Sequence, residues 1–71
     1  MTVIEEIVEK ARGLSAAGKR PHEVIEAVLD LGHAAGFTVI GETITNGRLG
    51  LDFHNGEAVE FDGTEWHYKR V

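Results

Sequence analysis

Apolar residues recur at helical spacing through the first half of the chain and alternate at strand spacing through the second. Ile4, Ile7, Val8, Ala11 and Leu14 make one stripe of a first helix, predicted over residues 3–17. Thr2 and Glu5 form a Thr-x-x-Glu capping box, and Glu5 and Glu6 suit the positive end of the helix dipole. Glu6 and Lys10 are spaced to pair on the wet side. Gly13 weakens the last turns by about 0.5–1 kcal/mol relative to Ala. Gly18 is the expected left-handed residue that closes the helix.

A second helix, over residues 21–35, starts at Pro21, where a missing amide proton costs nothing. Val24, Ile25, Val28, Leu31, Gly32 and Ala35 share one face, Leu29 lies on its flank, and Glu23, Glu26 and Asp30 line the other. Gly36 stops the helix, and Gly32 marks a place where another backbone can approach closely. A linker this short makes the two helices an antiparallel hairpin. A DNA-reading helix-turn-helix is rejected, because the exposed face of the second helix is acidic where Arg, Asn or Gln would be needed.

Strands are predicted at residues 37–45, 48–53, 57–61 and 64–70, separated by Asn46-Gly47, Asn55-Gly56 and Asp62-Gly63. A two-residue turn at Asn46-Gly47 sets Thr45 opposite Arg48, Ile44 opposite Leu49, Glu42 opposite Leu51 and Ile40 opposite Phe53. The same turn at Asp62-Gly63 sets Phe61 opposite Thr64, Val59 opposite Trp66 and Glu57 opposite Tyr68. The middle connection must differ. A two-residue loop at Asn55-Gly56 would throw Val59 and Phe61 onto the wrong face, whereas the loop His54-Asn55-Gly56 with a left-handed Gly56 pairs Leu51 with Val59 and Leu49 with Phe61.

One sheet face then carries Ile40, Ile44, Leu49, Leu51, Phe53, Val59, Phe61, Trp66 and Tyr68, and the helix hairpin must cover it. The expected fold is α+β, ααββββ: a two-helix hairpin packed on one face of a four-stranded antiparallel β-meander of order 1-2-3-4, forming one domain over residues 1–71. Trp66 is expected to be buried beneath the helices.

Composition narrows the function. Seventy-one residues bury only about 60% of their unfolded surface, so partner help is plausible. There is no cysteine, hence no disulfide and no thiolate metal site, which suits a reducing compartment such as the cytoplasm. The N-terminus turns acidic within five residues, unlike a signal peptide, and no apolar run approaches the ~20 residues of a membrane span. Twelve acidic residues against seven Lys and Arg give a formal charge of −5, which disfavours phosphate backbones and matches a basic protein surface.

The face away from the helices is expected to show Val39, Gly41, Thr43, Arg48, Gly50, Asp52, His54, Ala58, Glu60, Glu65, His67 and Lys69. Gly41, Gly50 and Ala58 are small for strand interiors; they indicate either a strong twist or a strip onto which another surface packs. Asp52 and His67 both neighbour Ala58 in this register, with His54 two residues from Asp52. Two strand spacings, about 9–10 Å, keep Asp52 and His67 from hydrogen bonding directly or converging on a metal. No catalytic residue, metal ligand or cofactor site is assigned. Ser15, the only serine, has no base near it in sequence, and no phosphate-cradling loop is present.

Three functions remain, in order. The first is a non-enzymatic interaction module (a regulator, adaptor or inhibitor) that occupies a basic partner through Glu57, Glu60 and Glu65 of the last hairpin and the strip of Gly41, Gly50 and Ala58. The second is a homodimeric enzyme or ligand-binding unit using Asp52, His54 and His67. The third is nucleic-acid binding through Lys10, Arg12, Lys19 and Arg20.

Overall fold

The chain turns its amphipathic first half into two helices, α1 (Val3–Ala16) and α2 (Pro21–Ala34), and its alternating second half into β1 (Val39–Thr45), β2 (Arg48–Phe53), β3 (Glu57–Phe61) and β4 (Trp66–Arg70). These come from a computed structural model that describes residues 1–70. The four strands form one antiparallel sheet of order β1-β2-β3-β4, as the sequence predicts. α1 lies over β3 and β4, and α2 lies over β2. Between the layers sit Ile4, Val8, Val24, Val28, Phe53, Val59 and Trp66, all fully buried.

The helix ends follow their local chemistry. Thr2 accepts the Glu5 amide and Glu5 returns a bond to the Thr2 amide, completing the capping box. Gly18 has φ +92°, and the amides of Gly18 and Lys19 reach back to the Ser15 and Leu14 carbonyls, so these two orphan acceptors gain donors. Both helices end one residue earlier than predicted, at Ala16 and Ala34, with Ala17 and Ala35 as their C-caps. The ion pair on the wet side of α1 is Glu9–Arg12, at 2.6 Å, instead of the predicted Glu6–Lys10.

The middle hairpin is as predicted. Leu51 pairs with Val59 and Leu49 with Phe61, Gly56 has φ +87°, and its amide donates to the Phe53 carbonyl. Two other registers need correction. β1 and β2 match the prediction from Thr45↔Arg48 to Glu42↔Leu51, but a bulge between Val39 and Gly41 then pairs Val39, not Ile40, with Phe53. The extra residue swaps faces. Phe37 and Val39 turn toward the core, where Phe37 packs edge-on against Phe53 at 6.0 Å, and Ile40 is left exposed. β1 also starts two residues late, because Phe37 N–H is taken by the Gly32 carbonyl at the end of α2.

The last hairpin is displaced by two residues. Phe61 pairs with Trp66, Val59 with Tyr68 and Glu57 with Arg70, in place of Thr64, Trp66 and Tyr68. Asp62 is the cause. Its Oδ1 accepts the amides of both Thr64 and Glu65, and its own amide donates to the Glu65 carbonyl, so the chain reverses one residue later than Asp62-Gly63 alone would dictate. A shift of two keeps every side chain on its face, so Trp66 is still buried, at 1% exposure.

Gly32 makes a close approach possible, but to a ring and not to a backbone: a Cβ there would lie 2.6 Å from Phe53 Cε1. Gly32→Ala gains about 1 kcal/mol of helix propensity. Phe53 is walled in by Phe37 and the core, so overpacking should win and the net loss should be about 1–3 kcal/mol in urea unfolding. A variant as stable as the parent would show that the ring yields freely.

Candidate functional site

The acidic residues of the last hairpin do not form one docking patch. Glu57 is buried, at 5% exposure, on the helix-covered side. Its carboxylate accepts hydrogen bonds from Thr2 Oγ1 and Tyr68 Oη, each at 2.6 Å, and from Asn55 Nδ2. Burial alone would raise its pKa, but these three donors and the nearby Arg70 charge outweigh it and hold the carboxyl below its ordinary value. The Tyr68 phenol is correspondingly pushed up, first by its bond to Glu57. Glu57 therefore ties the cap of α1 to β3 and β4, and its expected role as a surface contact is corrected. Glu60 is half-buried on the uncovered face, with Lys69 Nζ 3.9 Å away, and Glu65 is exposed in the turn.

The small-residue strip is not an open trough. Gly50 and Ala58 are buried beneath neighbouring side chains; a Cβ on Gly50 would meet Thr43 at 3.5 Å and Glu60 at 3.8 Å. A Cβ on Gly41 would lie 3.1 Å from Asp52 Oδ2, so the Asp52 side chain already occupies that space.

Asp52, His54 and His67 are not brought together. The displaced hairpin sets Asp52, Ala58 and Lys69 in one row and Gly50, Glu60 and His67 in the next, which removes His67 from the row it was expected to share with Asp52. His54 is turned to β1: its Nδ1 accepts the Thr38 amide at 3.1 Å, and its own amide donates to the Thr38 carbonyl at 2.9 Å. The imidazole thus clamps the strand just before the bulge. His67 instead meets Asp62, Nε2 to Oδ2 at 2.8 Å. The Glu65 and Thr64 amides and the His67 ring hold the Asp62 carboxyl down at about 2.

Among the described residues, Asp62, Glu65 and His67 are the metal-capable set whose ligand atoms lie within 4.8 Å of one another. Asp62 already uses both oxygens, on two amides and the imidazole, so the cluster acts as a clamp on the turn. Arg12, one of the cations considered for nucleic acid, is engaged through Nε with the Trp66 carbonyl at 3.0 Å and through Nη1 with Glu9.

The feature that sequence reasoning missed lies on the opposite edge. Ile44 has the face parity of the core yet is 78% exposed, and Ile40 at the bulge is 68% exposed. α1 lies over β3 and β4 and α2 over β2, so β1 is the strand left at the rim. Between α2 and β1 runs a mainly apolar groove with Ile25, Leu29, Ile44 and Leu49 in its lining and Glu26 and Glu42 at its margin. The sequence signal was Glu42, a carboxylate at core-face parity opposite Leu51.

The class this geometry defines is an α+β domain, a helix hairpin on one face of a four-stranded antiparallel meander. No family model matches the chain, and no curated protein or solved structure is significantly similar to it. No helix is long and apolar enough to cross a membrane among the described residues.

Proposed function

We propose that this chain is a small, acidic, non-enzymatic protein-interaction module that acts as a regulator, adaptor or inhibitor by occupying a basic partner surface. The observation that carries the reading is the uncovered apolar rim of β1. Ile44 is exposed on an edge strand beside an apolar groove, and an exposed apolar patch rimmed by polar groups is characteristic of an interface. The chain's −5 charge and the carboxylates of Glu26 and Glu42 favour a partner rich in Lys and Arg. The cysteine-free composition suits a cytoplasmic setting. The contact is thus moved from the last hairpin to the β1 rim. The homodimeric-site alternative has no specific observation behind it, since its three residues face separate neighbours.

Affinity capture from cells that express the protein tests this with two variants. A partner retained by the parent and by the Glu60→Lys/Glu65→Lys double variant, but lost with Ile44→Glu, is the expected result. Loss through the hairpin variant alone would return the contact to the acidic loop. Equal retention by all three would remove both surfaces.

A further inference from the structure

The free edge of β1 specifies more than an apolar contact. Asn46 and Gly47 have φ of +48° and +79°, a primed two-residue turn, so Thr45 and Arg48 form the closing hydrogen-bonded pair. Bonding alternates along an antiparallel ladder, which directs the backbone groups of Thr45, Thr43 and Gly41 toward β2. The N–H and C=O of Glu42 and Ile44 then point away from the sheet, where no strand follows. The turn at one end and the bulge at Ile40 at the other confine this edge to residues 41–45.

We infer that the occupant of the groove is a short extended segment of the basic partner, about five residues long, that adds to β1 as a fifth antiparallel strand. This rests on the interaction reading above and gives it a partner chemistry. Unpaired backbone groups favour a strand over a helix, because a helix satisfies its own backbone and would leave Glu42 and Ile44 unpaired. Antiparallel addition continues the direction rule of the whole sheet. Residues of the added strand opposite Ile44 and Glu42 share their face, which is the side of the groove and α2. The residue opposite Ile44 meets Ile44 and the lining side chains Ile25 and Leu29, so it is apolar. The residue opposite Glu42 faces a carboxylate, with Glu26 across the groove, so it is Lys or Arg. Read along the partner, the recognised pattern is apolar-x-basic.

A blocked peptide of sequence Thr-Thr-Val-Thr-Lys-Thr, titrated into the intact protein and followed by amide NMR, tests the inference. Saturable binding is expected, with hydrogen-exchange protection at the Glu42 and Ile44 amides and little change at Thr43, whose amide is already paired. Methylating the peptide amides that face Glu42 and Ile44, exchanging its Val and Lys, or the Ile44→Glu variant should each weaken binding at least tenfold. Absence of binding, or binding that tolerates amide methylation, overturns strand addition. If Ile44→Glu still abolishes capture of the native partner in that case, the interaction reading stands and the occupant is a folded or helical surface. If capture is also indifferent to Ile44→Glu, the reading itself falls.

Discussion

Trp66→Ala should remove about 3–5 kcal/mol of stability, the range for emptying a large aromatic site in a core. A chain of this length has roughly 4–10 kcal/mol in total, so the variant should lose about half of its stability or more. Trp66 is 1% exposed and stacks against Phe61 with ring centroids 4.9 Å apart. It also sits where α1 meets β4, and Arg12 of α1 holds its carbonyl. The loss therefore separates a helix from the sheet as well as opening a cavity. Among the described residues its buried indole Nε1 has no hydrogen-bond partner, which already costs about 1–3 kcal/mol. Trp66→Phe removes that orphan donor while keeping much of the ring, so it should be clearly milder than Ala. Urea unfolding followed by circular dichroism measures both. An Ala variant within 1 kcal/mol of the parent would mean that the core does not depend on this side chain.

Glu57→Ala should cost about 2–3 kcal/mol, because Thr2, Tyr68 and Asn55 would lose a charged acceptor at once. Glu57→Gln should cost less, as its amide oxygen still accepts. The same carboxylate predicts an acid limb. Its pKa in the folded protein lies below the ordinary 4.5, so as pH falls the unfolded chain takes up the proton first. Its contribution is complete above the unfolded value and drains away as pH drops through the lower folded one. Asp62, lowered from 3.8 to about 2, acts in the same direction and over a more acidic window. The urea midpoint of the parent should therefore fall below pH 4.5, and Glu57→Gln should flatten the first part of that fall. Identical acid limbs in the two proteins would mean that Glu57 is not held as its hydrogen bonds indicate.

Periodicity made most of this fold legible, because alternation constrains faces more strongly than it constrains ends. The three-residue middle loop could be deduced because a two-residue loop at Asn55-Gly56 would have exposed Val59 and Phe61. The bulge at Ile40 could not, since it depends on Phe37 and Val39 together outcompeting one isoleucine for the core, a comparison that needs the helices in place. The Asp62 turn escaped for a different reason: a side chain substituted for the backbone as the acceptor of two amides. Glu57 was readable in part. It shares parity with Val59 and Phe61, which already placed it inward, but its partner Thr2 lies 55 residues away in sequence. The alternative grouping of Asp52, His54 and His67 was dispersed by register and by a strand contact: a displacement of two residues moved His67 to a different row from Asp52, and His54 bonds Thr38.

The turn after β3 has an evolutionary consequence. Removing Thr64 and Glu65 together would leave Asp62-Gly63 joining Phe61 directly to Trp66, the tight hairpin that this dipeptide favours, with the observed pairing preserved. Removing one of them would leave a three-residue loop, the length that already joins β2 to β3, again with Phe61 opposite Trp66. Insertions and deletions at this site should therefore be accepted wherever the Phe61–Trp66 pair is kept, and among descendants of this chain the loop would drift in length while that pair stayed fixed.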